Sequence, residues 1–394
     1  MRLAVVETAA HGGLLHYAVQ LGDALAARGH EVDLIVPAGN ELSGRGGPAR
    51  RRAILAAPTP DADARFANVR TVRRARVASR LLRAWGRINW ELRRNRYDAA
   101  ILTSDVDLSP MALAVLALLL RRRMLVAGVC HSVRPLNRWA GEEMFASSPL
   151  LTRLLRAMYA RMDVVFVHGE RSLGEFRAAW PEASAVVIPH GDERIFSDDP
   201  PPPSEEERLL FFGEWRKVKG LDVLMRAFDE LAERRPQARL TIAGAPCAAD
   251  MDPDIVRSWA AAQDGRVRIE DRYIPVEDVA ALFGSARAVV TPYLVGYQSG
   301  VVHLAMTMGR AVVASDVGDL GSVVVDGETG LTVAPGDARA LTQALERILS
   351  DRDLADRLGR QARRRLLEGS SWERVAQRVE SALAVSAPRR GVFR

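Results

Sequence analysis

Two short stretches carry residue types suited to holding a phosphate. The first is Glu214-Trp-Arg216-Lys217-Val-Lys219-Gly220, with three cations in four residues. The chain has 55 lysines and arginines, yet only two are lysine, Lys217 and Lys219. An ammonium is a compact point charge on a flexible stem, whereas a guanidinium is a rigid fork, so a tight phosphate site has reason to keep lysine. Solvated surface charge is the competing reading. The second stretch is Gln298-Ser299-Gly300-Val301, which opens a short segment with six apolar residues among the eight from Val301 to Met308. An enclosed helix is expected there. Its first N–H groups and positive dipole end favour an anion, and glycine lets a phosphate come close. A Ser299 cap and a close-packed Gly300 form the plainer alternative.

Three histidines end buried-strand patterns. His131 follows Met124–Cys130, His168 follows Val164–Val167, and His190 follows Ala185–Ile188 in Pro189-His190-Gly191. Ligands of open parallel sheets bind beyond the strands' C-terminal ends, which makes His131 and His190 candidates. A satisfied structural histidine is the alternative. Gly12 and Gly13 interrupt the passage from strand Arg2–Val6 to a helix with Leu14, Ala18, Leu21 and Leu25 on one face. This βαβ opening is looser than a dinucleotide fingerprint, and a phosphate turn and a tight packing turn fit it equally. Asp105-Val-Asp107 and Asp252-Pro-Asp254 match a metal-binding Asp-x-Asp pattern, but such three-residue matches are frequent, and no metal site is assigned.

These residues need sheets to position them. At 394 residues the chain exceeds one ordinary core, and strand and helix patterns alternate on both sides of Ser197-Asp-Asp-Pro-Pro-Pro-Pro-Ser-Glu-Glu-Glu207. The expected divisions are a first domain at 1–195, a linker at 196–207 and a second domain at 208–375. A C-terminal helix and tail at 376–394 are expected to pack back on the first domain. The fold class is α/β, two Rossmann-like parallel-sheet domains facing a cleft. Residues 40–69, rich in Gly, Pro, Ala and Arg, read as a loop with little regular structure.

Cys130 and Cys247 stand far apart, which argues against a disulfide framework and fits a cytoplasmic setting. The longest apolar run, Met111–Leu120, is half a membrane span. Net charge is +6. Arginine is concentrated from Arg70 to Arg96, where Val77, Leu81, Trp85, Ile88 and Leu92 share one helical face and Arg73, Arg76, Arg80, Arg83 and Arg87 another. Such a helix suits either an anionic membrane surface at the inner face or packing on its own sheet. No aromatic-rich motif supports a nucleic-acid partner.

Phe211-Phe-Gly with Arg216 and Lys219-Gly-Leu-Asp-Val-Leu, Tyr297-Gln-Ser-Gly-Val301, Ala305-Met-Thr-Met-Gly-Arg-Ala-Val-Val-Ala-Ser-Asp-Val-Gly318 and Asp326-Gly-Glu-Thr-Gly330 together resemble retaining glycosyltransferases of family 4, with the GT-B fold. The resemblance implies sugar transfer from a nucleoside diphosphate donor to a glycan, lipid-linked or small-molecule acceptor. It implies retention of configuration, no metal and no other cofactor, in a setting such as bacterial polysaccharide biosynthesis. By the same resemblance, 1–195 is the acceptor side and 208–375 binds the nucleotide sugar. Arg216, Lys219 and His131 are the expected catalytic residues. Gly12, Gly13, His190, Gln298, Ser299, Gly300 and Val301 are the expected donor-binding residues, with Gly12 and Gly13 on the phosphates and His131 facing the sugar. The family commonly carries two glutamates with seven residues between them, and those positions hold Gly296 and Leu304 here. A front-face transfer does not need them: the departing diphosphate can take the acceptor proton while cations and N–H groups stabilise it. An inactive scaffold protein and a sugar-nucleotide epimerase are the alternatives.

Overall fold

The computed structural model describes residues 1–56, 70–104, 106, 109–120, 122–133, 149–204, 206–247 and 250–387. Two compact units emerge. The first takes in the described residues from Met1 to Pro189 and the last helix; the second runs from His190 to Ser371.

The first unit alternates β1 (Arg2–Val6), α1 (Gly13–Ala27), β2 (Glu31–Pro37), β3 (Arg50–Leu55), α2 (Arg70–Arg94), β4 (Ala99–Leu102), α3 (Ser109–Leu120), β5 (Leu125–Val129), α4 (Pro149–Tyr159), β6 (Val164–Val167), α5 (Glu170–Ala179) and β7 (Ala185–Val187). Its strands form one seven-stranded sheet in the order β3-β2-β1-β4-β5-β6-β7. The pairings are parallel, with Val5 opposite Leu34 and Ile101. The central strands are continuous apolar runs, as sheets covered by helices on both faces require.

The second unit follows the same rhythm: β8 (Arg208–Phe212), α6 (Leu221–Arg234), β9 (Arg239–Ala243), α7 (Pro253–Ala261), β10 (Val267–Glu270), α8 (Val276–Gly284), β11 (Ala288–Thr291), α9 (Gly300–Thr307), β12 (Ala311–Ser315), α10 (Leu320–Val323), β13 (Leu331–Val333), α11 (Ala338–Ser350) and α12 (Arg352–Gly369). Its parallel sheet runs β10-β9-β8-β11-β12-β13. The closing helix α13 (Trp372–Ser386) belongs to the first unit, where Trp372 packs edge-on to Tyr17 of α1 with ring centroids 5.0 Å apart.

Two differences from the sequence reading have physical causes. The segment expected to be irregular contains β3, an edge strand whose Arg50-Arg-Arg52 start hides it. Arg50 donates to the buried Asp33 at 2.5 and 2.7 Å, and Tyr97 donates to the same carboxylate at 2.5 Å. Burial raises the Asp33 pKa, but the bonds from Arg50, Tyr97 and Arg52 outweigh it and leave the carboxyl below its ordinary value. Second, the proline-rich segment is anchored to the second unit. Arg363 donates to the Asp198 carbonyl at 2.8 Å, Arg310 donates to the Pro201 carbonyl, and Pro201 covers Gly284. The division accordingly falls at Pro189–His190, ahead of residue 195, and at Ser371 rather than 375.

For α2 the structure favours packing on its own unit, one of the two readings its sequence allowed. Trp85, Ile88 and Leu92, the face offered to a bilayer, are buried, so that face packs within the unit. The one acid of the helix, Glu91, is buried and pairs with Arg52 of β3. The α2 side chains from residue 70 to 77, including Arg73, Arg76 and Val77, lie outside the described residues.

Candidate functional site

In each sheet the chain order reverses at one point, between β8 and β11 in the second unit and between β1 and β4 in the first. Loops leaving neighbouring strands toward opposite faces open a crevice there. Of the sequence candidates of the second unit, Arg216 and Lys219 lie on the loop after β8, Gln298 and Ser299 on the loop after β11, Gly300 and Val301 open α9, and His190 precedes β8.

The loop after β8 is shaped by two glycines and one tryptophan. Gly213 adopts φ +122° and approaches Gly244 so closely that a Cβ on the latter would lie 2.0 Å from the Gly213 carbonyl oxygen. Trp215 is fully buried, and its amide donates to Ala245 at 3.0 Å. Lys217–Lys219 then form one 3₁₀ turn that ends in left-handed Gly220, where α6 begins. The anchored tryptophan and the tight turn leave Arg216 and Lys219 half-buried and Lys217 exposed. Asp250 accepts from Arg216 Nε at 3.3 Å and from the Lys217 amide at 3.2 Å.

Lys219 reaches the second loop. Its Nζ lies 3.8 Å from the centroid of the Tyr293 ring, a cation–π contact. The buried Tyr293 hydroxyl is 3.1 Å from Ser299 Oγ, which also caps α9 by accepting from the Val302 amide at 3.4 Å. A chain of contacts therefore joins the ammonium to the start of α9. Val301 stands beside Gly213, 3.8 Å from where a Cβ would be. Replacing Tyr293 with phenylalanine should cost about 1 kcal/mol of stability through the lost hydroxyl bond. Leucine should cost more, because the ring beneath the ammonium goes too; equal denaturation midpoints for the two variants would break this link.

The opening of α9 also receives His190 and Glu193. A Cβ on Gly300 would meet Glu193 Oε1 at 3.7 Å and His190 Cε1 at 3.8 Å. His190 stacks on His303 with centroids 4.5 Å apart, and the Glu193 amide donates to Thr307 Oγ1 at 3.0 Å. His303 Nδ1 donates to the Ser299 carbonyl at 3.0 Å, which fixes the ring. Burial pushes its pKa down to about 4. Gln298 is half-buried ahead of the cap. Of the two positions where glutamates were missed, Leu304 is in the core, and the Gly296 carbonyl is covered by Gly318. Glu193 thus brings a carboxylate to this helix from a different segment.

The first unit has its own cluster. Glu7, at the end of β1, is buried and accepts from the Thr8 and Ala9 amides at 2.7 Å, from Thr103 Oγ1 at 2.8 Å and from Ser104 Oγ at 2.8 Å. Burial raises its pKa against the pull of those bonds. His131 Nδ1 lies 3.2 Å from His168 Nε2, and Tyr17 stands edge-on to both rings. Burial drives the His131 pKa down to about 4, partly offset by a bond to the Thr103 backbone. Gly12 takes φ +86°, and neither Gly12 nor Gly13 has anything within 4 Å of a Cβ position. The Gly12 amide donates to Glu41 at 2.5 Å, and His16 binds the same carboxylate at 2.7 Å. The anion at this turn is therefore Glu41.

Both depressed imidazoles set a pH dependence. Below pH 6.5 the unfolded chain takes up protons at His131 and His303 that the folded chain refuses until about pH 4. Stability should therefore fall as pH drops from 6.5 toward 4 and then level off for these two groups. Denaturant titrations at pH 7 and pH 5 check this; equal midpoints would mean that the folded rings protonate normally.

Asp252 caps α7 by accepting from the Asp254 amide at 3.0 Å, a structural use of that Asp-x-Asp. Asp105 and Asp107 lie outside the described residues. Tyr293, Asp250, Glu193 and His303 went unnoticed in the sequence. Only Tyr293 left a usable signal, a residue two places past a buried strand.

Comparison with known proteins covers both units. Residues 11–192 match the model for glycosyltransferase family 4, and residues 206–351 match glycosyl transferases group 1. The chain is 33% identical over 188 residues to a glycogen synthase of Mycobacterium tuberculosis, covering 46% of this chain and 43% of the relative. It is 33% identical over 179 residues to a D-inositol 3-phosphate glycosyltransferase of Corynebacterium aurimucosum, covering 44% of this chain and 42% of the relative. The chain thus spans less than half the length of these curated relatives. In fold it is similar to the sucrose-phosphate synthase of Thermosynechococcus elongatus, with a TM-score of 0.77 at 20% identity over 98% of this chain and 99% of that one. HepE of Anabaena, solved with UDP, gives 0.70 at 15% identity over 98% and 100%. With two Rossmann-like sheets and a family model matching each half, the chain belongs to the family 4, group 1 glycosyltransferases of GT-B fold.

Proposed function

We propose that the protein transfers a sugar, with retention of configuration, from a nucleoside diphosphate donor to a glycan, lipid-linked or small-molecule acceptor. The observation that carries this reading is the contact chain Lys219–Tyr293–Ser299, which joins the Lys219 ammonium to the start of α9 at the switch point of the second sheet. Negative charge that builds on a departing diphosphate would meet Arg216, Lys219 and the N–H groups near Gly300 and Val301 in one region. Such preorganised charge does the work of transition-state stabilisation. It also supplies the positive charge that a metal would otherwise bring, and the proposal includes none. Gln298 and His190 complete the donor set.

In the first unit, His131 is the residue proposed to meet the transferred sugar, as a neutral imidazole at physiological pH. Gly12 and Gly13 serve a donor phosphate only once Glu41 yields the Gly12 amide, because one N–H cannot serve two anions. HepE was also solved with UDP-glucose, which makes uridine diphosphate sugars the first donors to try.

The test is a thermal-shift screen against nucleoside diphosphates and their sugars, followed by NMR of the product. A ligand at 100 times its Kd stabilises by about 2.7 kcal/mol. Transfer that keeps the donor's anomeric configuration supports the proposal, and inversion removes the retaining mechanism. Donor turnover to an isomeric nucleotide sugar without acceptor would favour an epimerase. Binding without turnover would favour a scaffold.

A further inference from the structure

We propose that the outward faces of α2, α3 and α4 form one docking surface for an anionic lipid bilayer. This surface is not the amphipathic face of α2 recognised in the sequence, which is buried, and it does not depend on the transferase reading. The observation behind it is the wrong-sided polarity of α3. Every residue from Met111 to Leu120 is apolar. Ala112, Val115, Leu118 and Leu119 are buried, while Leu113 and Leu120 are 50% and 64% exposed and Ala117 is exposed between them. Spacings of four, three and seven residues put these three on one stripe. A helix covering a sheet normally turns polar residues outward on that stripe.

The neighbouring helices extend the patch. In α2, Leu82 is 50% and Trp90 58% exposed, and in α4 Leu150 is 58% exposed. Helix α3 packs against both. The crossovers β3–α2–β4, β4–α3–β5 and β5–α4–β6 all advance the same way along the sheet, so the right-handed rule puts the three helices on one face. Contiguous apolar surface of this kind marks an interaction site.

Its charge selects the partner. The exposed ionic side chains described on α2 are arginines, among them Arg83, Arg87 and Arg94, since Glu91 is buried against Arg52. Helix α4 has no acid and exposes Arg153 and Arg156. The Arg94 guanidinium lies 4.9 Å from the Trp90 ring centroid, so a cation and an interfacial aromatic share one spot. Leucines bordered by arginines with a tryptophan suit the headgroup region of an anionic membrane. No described helix is long and apolar enough to cross a bilayer, so the contact is one of lying on the surface.

The experiment is flotation of the full chain with phosphatidylcholine vesicles, with and without phosphatidylserine, at low and high salt. The chain should float with the anionic vesicles and much less with the neutral ones, and salt should weaken it. Leu113→Glu with Leu120→Glu should weaken binding at least about tenfold, and Arg83→Ser with Arg87→Ser about tenfold. Both pairs are at exposed positions, and an unchanged melting temperature confirms the fold. A second readout leaves α3 intact: the emission difference between the native chain and Trp90→Phe should shift to the blue on adding anionic vesicles. Absence of flotation at low salt, or flotation unaffected by the leucine pair, overturns the proposal. So does a dimer formed without lipid and dissolved by Leu113→Glu with Leu120→Glu, because the surface would then serve a second copy of the chain.

Discussion

Lys219→Ala should lower turnover about a hundredfold while reducing donor affinity much less. Under the proposed mechanism the ammonium is held over the Tyr293 ring, 3.8 Å from its centroid, where a departing diphosphate gains charge. A contact that strengthens toward the transition state costs about 3 kcal/mol of barrier when lost, and this appears in the rate rather than in ground-state binding. Lys219→Arg keeps the charge but replaces a point with a fork, and it should also be slow. Lys217→Arg should be nearly silent, since Lys217 is exposed in the same turn. Parallel measurement of donor affinity and turnover for the three variants decides the matter. Near-native turnover in both Lys219 variants would return the loop to ordinary surface charge.

Gly220→Ala should damage the same site through the backbone. Gly220 holds φ +66°, and a Cβ there would lie 1.9 Å from the Pro292 carbonyl oxygen. The left-handed conformation alone costs a side chain about 1 kcal/mol. Forcing the loops after β8 and β11 apart adds a comparable or larger amount, for a total of about 3 kcal/mol. Because those loops carry Lys219 and Tyr293, donor affinity should fall along with the melting temperature. Gly220→Asn separates the causes: asparagine tolerates the left-handed conformation but meets the same oxygen. If Asn restored native stability, strain rather than collision would be the reason for glycine here.

The sequence made the sheets readable because their strands are apolar runs, such as Val164–Val167 and Ala311–Ser315, bounded by helical patterns. It concealed β3 because Arg50 and Arg52 belong there through a buried partner, Asp33, that sits in another strand. The helical phase of α2 was equally visible, but an amphipathic pattern does not say whether its apolar side meets lipid or its own sheet. Trp85 is buried within the unit and Trp90 is exposed. At the site, the clustered lysines and the Gln-Ser-Gly cap stood out by type and spacing. Asp250 and Glu193 are acids in loops, and their meaning comes only from neighbours distant in the chain, Arg216 and Gly300.

The homing of α13 to the first unit has a consequence for how the protein is made. Trp372 lies against Tyr17, and Arg28 of the region after α1 holds Glu380 at 2.7 Å. On the ribosome, the second unit has its whole sequence available once Ser371 has emerged, whereas the first still lacks the helix that covers α1. Tyr17 and the surrounding apolar surface must wait through the synthesis of the entire second unit. Vectorial translation thus delivers the later unit complete before the earlier one, and a fragment ending at Pro189 would carry that uncovered face permanently.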